Sequence, residues 1–269
     1  MPPLLVLPSP LPSPSLTLGQ LITDPVSAST ASLKPSQPPT PTISNLQPKY
    51  QDTITHDAHG RFTSTRVISQ LAGQAHYSHE NLLLLSAEEM THSTLPKPSA
   101  VFNDLRKDST TLSFLRTMAQ ENKPVYLVTG IQTLRNPSFK PAVVEHGLIT
   151  EASARLPVRR VDSASNITAS TPSNNHDTKE SILAVQLLKV KCRVGSASEP
   201  HCVSDLEYEW SYHSLGEEGL QLSVGLGKAL QESELRTLAG MADTEGGGSE
   251  RRWSGMDAGE GSEDGLGGF

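Results

Sequence analysis

Alternation of apolar and polar residues is the clearest pattern in the chain. Residues 142–158 place mostly apolar side chains at even positions and mostly polar ones at odd positions, and residues 181–194 repeat this period of two. A period of two puts alternate side chains on opposite faces of a β-strand. The polar residues 162–179 join the two segments, so the pattern predicts a long β-hairpin. A half-exposed hairpin of a soluble protein and a membrane-inserting hairpin both fit it.

Two other stretches have the composition of strands. Residues 61–72 are rich in β-branched side chains, a Gly-Gln turn signal follows at 73–74, and residues 76–86 end in four leucines. These features predict a second β-hairpin over 61–86. Residues 125–131 form a short, nearly continuous apolar run, which predicts a central strand buried on both faces.

The segment that precedes this apolar run has the spacing of a helix. Leu112, Leu115 and Met118 lie three residues apart and share one face of a helix, and Asp108 precedes them as an N-cap. We therefore expect a helix over residues 109–121.

The remaining elements are predicted near the carboxyl end. Alternation over residues 206–213 and 220–226 predicts two strands, and residues 228–240 predict a short helix that Gly240 ends. The element order predicts an α+β fold with a twisted, mostly antiparallel sheet and short helices.

Composition divides the chain of 269 residues into three parts. Twelve of its 20 prolines lie in residues 1–48, which carry almost no charge, and nine of its 20 glycines lie in residues 241–269 with a net charge of −5. Segments of this kind cannot bury enough apolar surface to fold. We expect a disordered Pro/Ser-rich arm over 1–48, a folded domain over 49–240 and a disordered acidic Gly-rich tail over 241–269.

Several protein classes are excluded by composition. No run approaches the roughly 18 apolar residues of a membrane-spanning helix. Two cysteines are too few for a disulfide scaffold and fit a reducing compartment, and the first residues lack the basic segment of a secretory signal, so a cytoplasmic location is expected. With a pI near 5.7 and no basic patch carrying aromatic residues, no nucleic-acid partner is expected.

The sequence has no complete catalytic motif. The stretch Gly225–Ala229 has Ala229 where a phosphate-binding loop needs a hydroxyl, so a turn between a strand and a helix is the favoured interpretation. Cys192, His201 and Cys202 lack the paired spacing of a zinc site. No segment pairs a nucleophile with a base. We expect no enzymatic activity, no cofactor and no metal.

Three segments resemble one known family. Lys123–Thr133, Asp177–Val190 and Trp210–Tyr212 with residues 220–240 are similar, in order and spacing, to segments of the pore-forming domain of gasdermins. The short gasdermin-like cell-death proteins of filamentous fungi are the most similar, and the resemblance covers roughly residues 55–240.

The resemblance implies a protein with two states. A soluble chain, once released, would bind acidic phospholipid membranes, oligomerise with copies or a variant of itself, and insert β-hairpins. It would move from the cytoplasm to the plasma membrane or other cellular membranes, and in fungi such proteins act in heterokaryon incompatibility. The second inserted hairpin would consist of residues 142–158 and 181–194, and the first of residues 61–86.

The resemblance also assigns roles to residues. The membrane-inserting face would consist of Val144, Leu148, Ala152, Leu156, Ile182, Ala184, Leu188 and Val190. Lipid headgroups would bind Arg155, Arg159, Arg160, Lys189, Lys191 and Arg193. The Arg251-Arg252 pair is a candidate site for an activating protease, whose cut would remove an acidic tail that restrains the domain. The alternative is a non-enzymatic scaffold or adaptor whose Pro-rich and acidic arms recruit partners.

Overall fold

The computed structural model describes residues 2–27, 31–66, 76–77, 81–145, 148–151, 178–198, 202–216 and 219–241. The strands are β1 Leu5–Pro12, β2 Leu21–Ile22, β3 Ser32–Leu33, β4 Ile43–His56, β5 Phe62–Arg66, β6 His76–Tyr77, β7 Leu82–Thr94, β8 Val125–Arg135, β9 Ser138–Glu145, β10 Leu148–Glu151, β11 Glu180–Ser196, β12 Glu209–Ser214 and β13 Leu220–Ala229. The helices are α1 Pro98–Leu105, α2 Ser109–Gln120 and α3 Glu232–Leu238. The predicted α+β class, with a mostly antiparallel sheet and short helices, is confirmed.

Long strands form the centre of the sheet. β8 pairs with β7 on one side and β11 on the other, and β13 and then β12 continue the sheet beyond β11. On the opposite side of β7 lie β4 and then β5. β8 is buried on both faces along most of its length, so the predicted central strand is confirmed and extends to Arg135.

The core lies on both faces of this sheet. Tyr126 and Val128 of β8 face one cluster, whereas Val125 and Leu127 face another, as alternate strand positions must. The first cluster contains side chains of β1 and α3, and the second contains side chains of α1 and α2. The central strands are therefore covered by chain segments from both ends of the sequence.

Local signals set the ends of α2 as predicted. The Asp108 carboxylate accepts a hydrogen bond of 3.3 Å from the N–H of Thr111, which caps the helix. Leu115 and Met118 are buried on the face toward the sheet. The helix near the carboxyl end is shorter than predicted, because Lys228 still belongs to β13.

The expected disorder of the Pro-rich arm does not hold over its strands, which are β1, β2, β3 and the start of β4. Leu5 and Leu7 are buried in β1, which pairs with β11, and Leu21 is buried in β2, which pairs with β8. Prolines are tolerated on edge strands because such strands need few backbone donors. The alternating leucines at 5 and 7 are the signal that the high proline content concealed.

The second predicted hairpin pairs differently. Residues 142–145 of β9 pair with residues 148–151 of β10, so this stretch folds back on itself, and β11 pairs with β8, β13 and β1. Residues 181–187 are buried on both faces rather than half-exposed. A period of two identifies the two faces of a strand but not its neighbours, which explains the error.

The described parts of the first predicted hairpin are not adjacent either. β5 pairs with β4, and β4 lies between β5 and β7. β4 begins at Ile43, in the segment predicted to be disordered, so sequence analysis left out the strand that separates the two.

A tight turn connects β4 to β5 and contacts the end of α3. The Asp57 carboxylate accepts hydrogen bonds from the N–H groups of His59 and Arg61, at 2.8 and 2.9 Å. The Arg61 guanidinium in turn donates to the carbonyls of Ala239 and Gly240, at 3.0 and 3.2 Å. The last described helix is therefore attached to this turn.

Candidate functional site

Two of the predicted headgroup-binding residues lie at an open surface depression. Lys189 and Lys191 project from the middle of β11 into a concavity of about 520 Å³, bordered also by the residues after α2 and by the 3-10 turn Val203–Glu207. Lys123 adds a third ammonium group to its wall. We call this concavity, with Lys123, Lys189 and Lys191, the basic depression.

Each of these lysines has an acidic partner. The Nζ atom of Lys189 lies 2.5 Å from a carboxylate oxygen of Glu234, and that of Lys191 lies 2.5 Å from Asp205. Lys123 pairs with Glu121 at 2.7 Å. The side chains of Lys189 and Lys191 remain 30% and 39% exposed, so an anion can approach both ammonium groups from solvent.

Asp205 is the most firmly held of these acids. Its side chain is only 2% exposed, and it accepts a hydrogen bond of 2.9 Å from the N–H of Cys202 in addition to that from Lys191. The hydrogen bond from Lys191 holds the pKa of the Asp205 carboxyl well below its usual range, and the same bond raises the pKa of Lys191. The indole N–H of Trp210 donates to the Asp205 carbonyl at 2.7 Å.

The glycines of the Gly225–Ala229 stretch leave room for Tyr208, an aromatic residue that lines the basic depression. They lie inside β13 rather than in a turn, and a Cβ at Gly227 would come within 2.4 Å of the Tyr208 ring. The Tyr208 ring therefore lies directly against Gly227, with Lys191 Nζ 5.7 Å from its centroid. A cation at this distance is attracted to the ring face.

Both cysteines lie at or beside the depression. Burial raises the pKa of the Cys192 thiol to about 12, which keeps this wall residue protonated and unreactive. Cys202 is exposed at the start of the 3-10 turn, and His201 lies outside the described residues. Over the ranges that the structure describes, no three His, Cys, Asp or Glu side chains gather as a metal site would require.

Two apolar side chains of the 3-10 turn are exposed and were not predicted to be functional. Val203 is 83% exposed and Leu206 is 81% exposed, on either side of Asp205 in the 3-10 turn. Sequence analysis assigned Leu206 to a strand, and the turn form of residues 203–207 places both side chains in solvent. Glu234 and Asp205 were also missed, because their contacts with β11 join residues far apart in the sequence.

The predicted inserting face is divided in the structure. Ile182 and Ala184 are completely buried in the core, Val190 is nearly so, and Leu188 is half-buried. Val144 and Leu148 lie in β9 and β10. The predicted residues Ala152, Leu156, Arg155, Arg159, Arg160, Arg251 and Arg252 lie outside the described residues, and Arg193 lies in β11 opposite Ser223.

Comparison with known proteins identifies no family. No protein-family model matches the chain, and no curated protein is similar to it. Among solved structures, the chain is similar to a bacterial gasdermin from Bradyrhizobium tropiciagri, with 14% identity, a TM-score of 0.32, and coverage of 70% of this chain and 82% of that chain. A TM-score of this size does not establish a shared fold.

In the part of the chain that the structure describes, every helix is too short or too polar to cross a bilayer.

Proposed function

We propose that this chain is a pore-forming effector of regulated cell death that binds acidic phospholipid membranes, oligomerises and inserts β-hairpins to permeabilise them. The observation that carries the proposal is the pair Lys189 and Lys191, two residues apart on β11 at the rim of an open depression. The resemblance of Lys123–Thr133 and Asp177–Val190 to gasdermin segments supports the same function.

The geometry of the basic depression suits a surface of phosphate groups. Residues two apart on a strand lie on the same face, about 7 Å apart, so both ammonium groups approach a membrane together. Each basic side chain near an anionic surface contributes about 1 kcal/mol. Exposed ion pairs such as Lys189–Glu234 contribute roughly 0–1 kcal/mol, so a lipid phosphate can replace the carboxylate.

The exposed apolar side chains of the 3-10 turn add a second attraction. Val203 and Leu206 project from the same turn that holds Asp205, and their exposed area can enter the headgroup region when the lysines meet phosphate. Basic side chains, together with exposed apolar side chains on the turn that pairs with Lys191, favour membranes over soluble anions.

Control of the protein is part of the proposal. The acidic tail, or the absence of a partner variant, keeps the chain in the cytoplasm, and cutting near Arg251-Arg252 or meeting that variant releases it to cellular membranes. In a fungal host, this release would produce heterokaryon incompatibility.

The adaptor hypothesis is the alternative. Its Pro-rich recruiting arm has exposed prolines at positions 38, 41 and 48, although residues 5–12 form a strand whose leucines are buried. The acidic tail remains as a recruiting segment under that hypothesis.

Dye release from liposomes tests the function directly. The full chain and a chain ending at the buried Met241 are compared on phosphatidylcholine vesicles with and without phosphatidylserine. We expect release by the shorter chain on anionic vesicles, and release by both chains would assign control to a partner rather than to the tail. Folded protein that neither binds nor permeabilises either vesicle would favour the adaptor.

Matched substitutions test the site. Lys123→Gln/Lys189→Gln should weaken binding to anionic vesicles by roughly 30-fold, at about 1 kcal/mol for each lysine, and it leaves the Lys191–Asp205 pair intact. Lys107→Gln/Lys140→Gln removes the same charge from two other ion-paired surface lysines and should retain binding. Equal losses in both double variants would show that net charge, rather than the basic depression, determines binding.

A further inference from the structure

The amino-terminal strand covers an edge of β11. β1 pairs with residues 181–185, with Leu5 opposite Val185 and Val6 opposite Ala184. β13 takes the same edge from Leu188 onward. β1 therefore completes the side of β11 that β13 leaves uncovered.

Few backbone contacts hold β1 in this place. Its ladder has four register pairs, and the register shifts between Val6 and Leu11. Prolines at 8, 10 and 12 have no N–H to donate. Outside the ladder, Gln186 Nε2 donates to the Pro2 carbonyl at 3.0 Å, and the Ser13 N–H donates to the Glu180 carbonyl at 3.2 Å.

Apolar burial supplies the rest of the attachment. Leu5, Leu7 and Leu11 are 2%, 1% and 7% exposed and belong to the cluster that contains Val185 and Leu187. Burial of this kind has no preferred direction and depends only on the side chains that fill the groove. β1 also lies alongside β5, so it bridges two separate strands of the sheet.

If β1 leaves the edge of β11, another strand must take its position. Without β1, the edge of β11 at residues 181–185 would present unpaired backbone groups beside an apolar groove, which is a template for another strand. The strand that fits both the edge and the groove is β1 itself. A second copy of the chain supplies the same strand, and exchange of identical elements is a common route to assemblies.

We propose that β1 is an exchangeable strand, and that the edge of β11 at residues 181–185 accepts β1 from a second copy of this chain during assembly. Exchange from each copy to the next joins copies head to tail through β1 and β11. The expected trigger of exchange is an anionic membrane. The inference rests on the proposed function in this respect only.

A disulfide across the ladder shows which chain supplies β1. Val6→Cys and Ala184→Cys are introduced into the full chain together with Cys192→Ala and Cys202→Ala, because residues 6 and 184 are paired in register. The protein is oxidised in dilute solution and, separately, after incubation with phosphatidylserine-containing vesicles. We expect intrachain-linked monomer in solution and a ladder of disulfide-linked multimers after vesicles, which reductant abolishes.

A matched pair controls for non-specific linkage. Tyr212→Cys and Ser223→Cys, in the same background, are register partners between β12 and β13 of one hairpin. This control should give intrachain-linked monomer under both conditions. A peptide of residues 2–12, added in excess before oxidation, should reduce the multimers formed by the Val6/Ala184 pair and leave the control unchanged.

Dye release is measured with the same cysteine variants in their reduced form, before oxidation. The two proposals are therefore judged separately. Multimers without dye release would retain strand exchange and count against the pore. Dye release with intrachain-linked monomer throughout would retain the pore and overturn strand exchange. Intrachain-linked monomer without dye release would also overturn strand exchange, because the linked monomer shows that residues 6 and 184 remained paired within one chain.

Discussion

The side chain of Gln186 lies directly across Gly130. The two residues are register partners in β11 and β8, and a Cβ added at Gly130 would come within 2.2 Å of Gln186 Oε1 and 2.9 Å of its Cγ. Gln186 is buried, and its amide group donates to the Pro2 carbonyl. The absence of a side chain at position 130 therefore lets β11 hold the amino-terminal segment.

Gly130→Ala should destabilise the domain by about 1–3 kcal/mol, because the added methyl group displaces a buried side chain. Urea denaturation measures this loss in the free energy of unfolding. In a Gln186→Ala background the same substitution should have little effect, since its obstacle has been removed. An equal loss in both backgrounds would contradict the contact.

Asp205→Asn should lower the free energy of unfolding by about 1–3 kcal/mol at neutral pH, since it removes a charged hydrogen-bond partner of Lys191. The pKa of Asp205 is depressed in the folded protein, chiefly by the hydrogen bond from Lys191. Such a group stabilises the fold above its unfolded pKa and loses this effect as the pH falls through its folded pKa. The difference between wild type and variant should therefore shrink below about pH 4.

The control for this pH series is Asp104→Asn. Asp104 pairs with Lys107 at the surface, where both side chains are 75% exposed, so its loss should change stability by less than about 0.5 kcal/mol. Urea unfolding across the acidic range measures both variants. A pH-independent loss in Asp205→Asn would show that its carboxylate charge does not matter.

Asp52→Asn should change the free energy of unfolding in the opposite direction, that is, it should stabilise the fold at neutral pH. Asp52 is buried on β4, where it accepts hydrogen bonds from Tyr50 Oη at 2.9 Å and from the N–H of Thr53 at 2.8 Å. Burial raises the pKa of Asp52, since these two donors compensate only in part. The folded state therefore prefers the protonated acid, and ionisation costs stability as the pH rises above the unfolded pKa of about 4.

We expect Asp52→Asn to increase the free energy of unfolding at pH 7, with the gain absent below about pH 4. Tyr50→Phe is the companion variant, because it removes a donor from the ionised carboxylate and should destabilise at pH 7. Thermal unfolding at the two pH values measures both. A destabilised Asp52→Asn at pH 7 would falsify this account of Asp52.

Glu234→Gln should strengthen binding to phosphatidylserine vesicles. The substitution removes the charge that pairs with Lys189, while the amide oxygen can still accept the hydrogen bond from the N–H of Gln231 that caps α3. An ammonium group freed near an anionic surface contributes about 1 kcal/mol, which corresponds to roughly a fivefold lower Kd.

Vesicle co-sedimentation measures this affinity. Glu232→Gln serves as the control, because it removes the same charge from the same helix but breaks the pair with Arg236 instead. Unchanged affinity in Glu234→Gln, or an equal gain in both variants, would place lipid binding away from Lys189.

Local signals predicted those elements whose determinants lie within a few residues. The capping side chain of Asp108 and the spacing of Leu115 and Met118 define α2, and the apolar run 125–131 defines β8. β1 and β4 were missed, because prolines and polar residues conceal strands whose stability comes from distant partners. Strand neighbours were also beyond local patterns, since pairing of β11 with β8 rather than β9 depends on contacts across the whole domain.

In the candidate site, too, some features follow from local sequence and others depend on distant contacts. Alternation along β11 predicted one face for Lys189 and Lys191, and both residues line the basic depression. Their partners Glu234 and Asp205 follow by 45 and 14 residues in sequence, and no spacing rule links residues so far apart. The exposure of Val203 and Leu206 depends on the short 3-10 turn, which the strand-like composition around them does not reveal.

The attachment of α3 to the β4–β5 turn provides a place for an optical reporter. Arg61 binds the carbonyls of Ala239 and Gly240, so displacement of the chain just before the acidic tail would break both hydrogen bonds and loosen the turn. His59 is exposed at the tip of that turn. A fluorophore at His59→Cys, in a chain without its native cysteines, would convert displacement at the carboxyl end of the domain into a change in anisotropy that can be followed in real time.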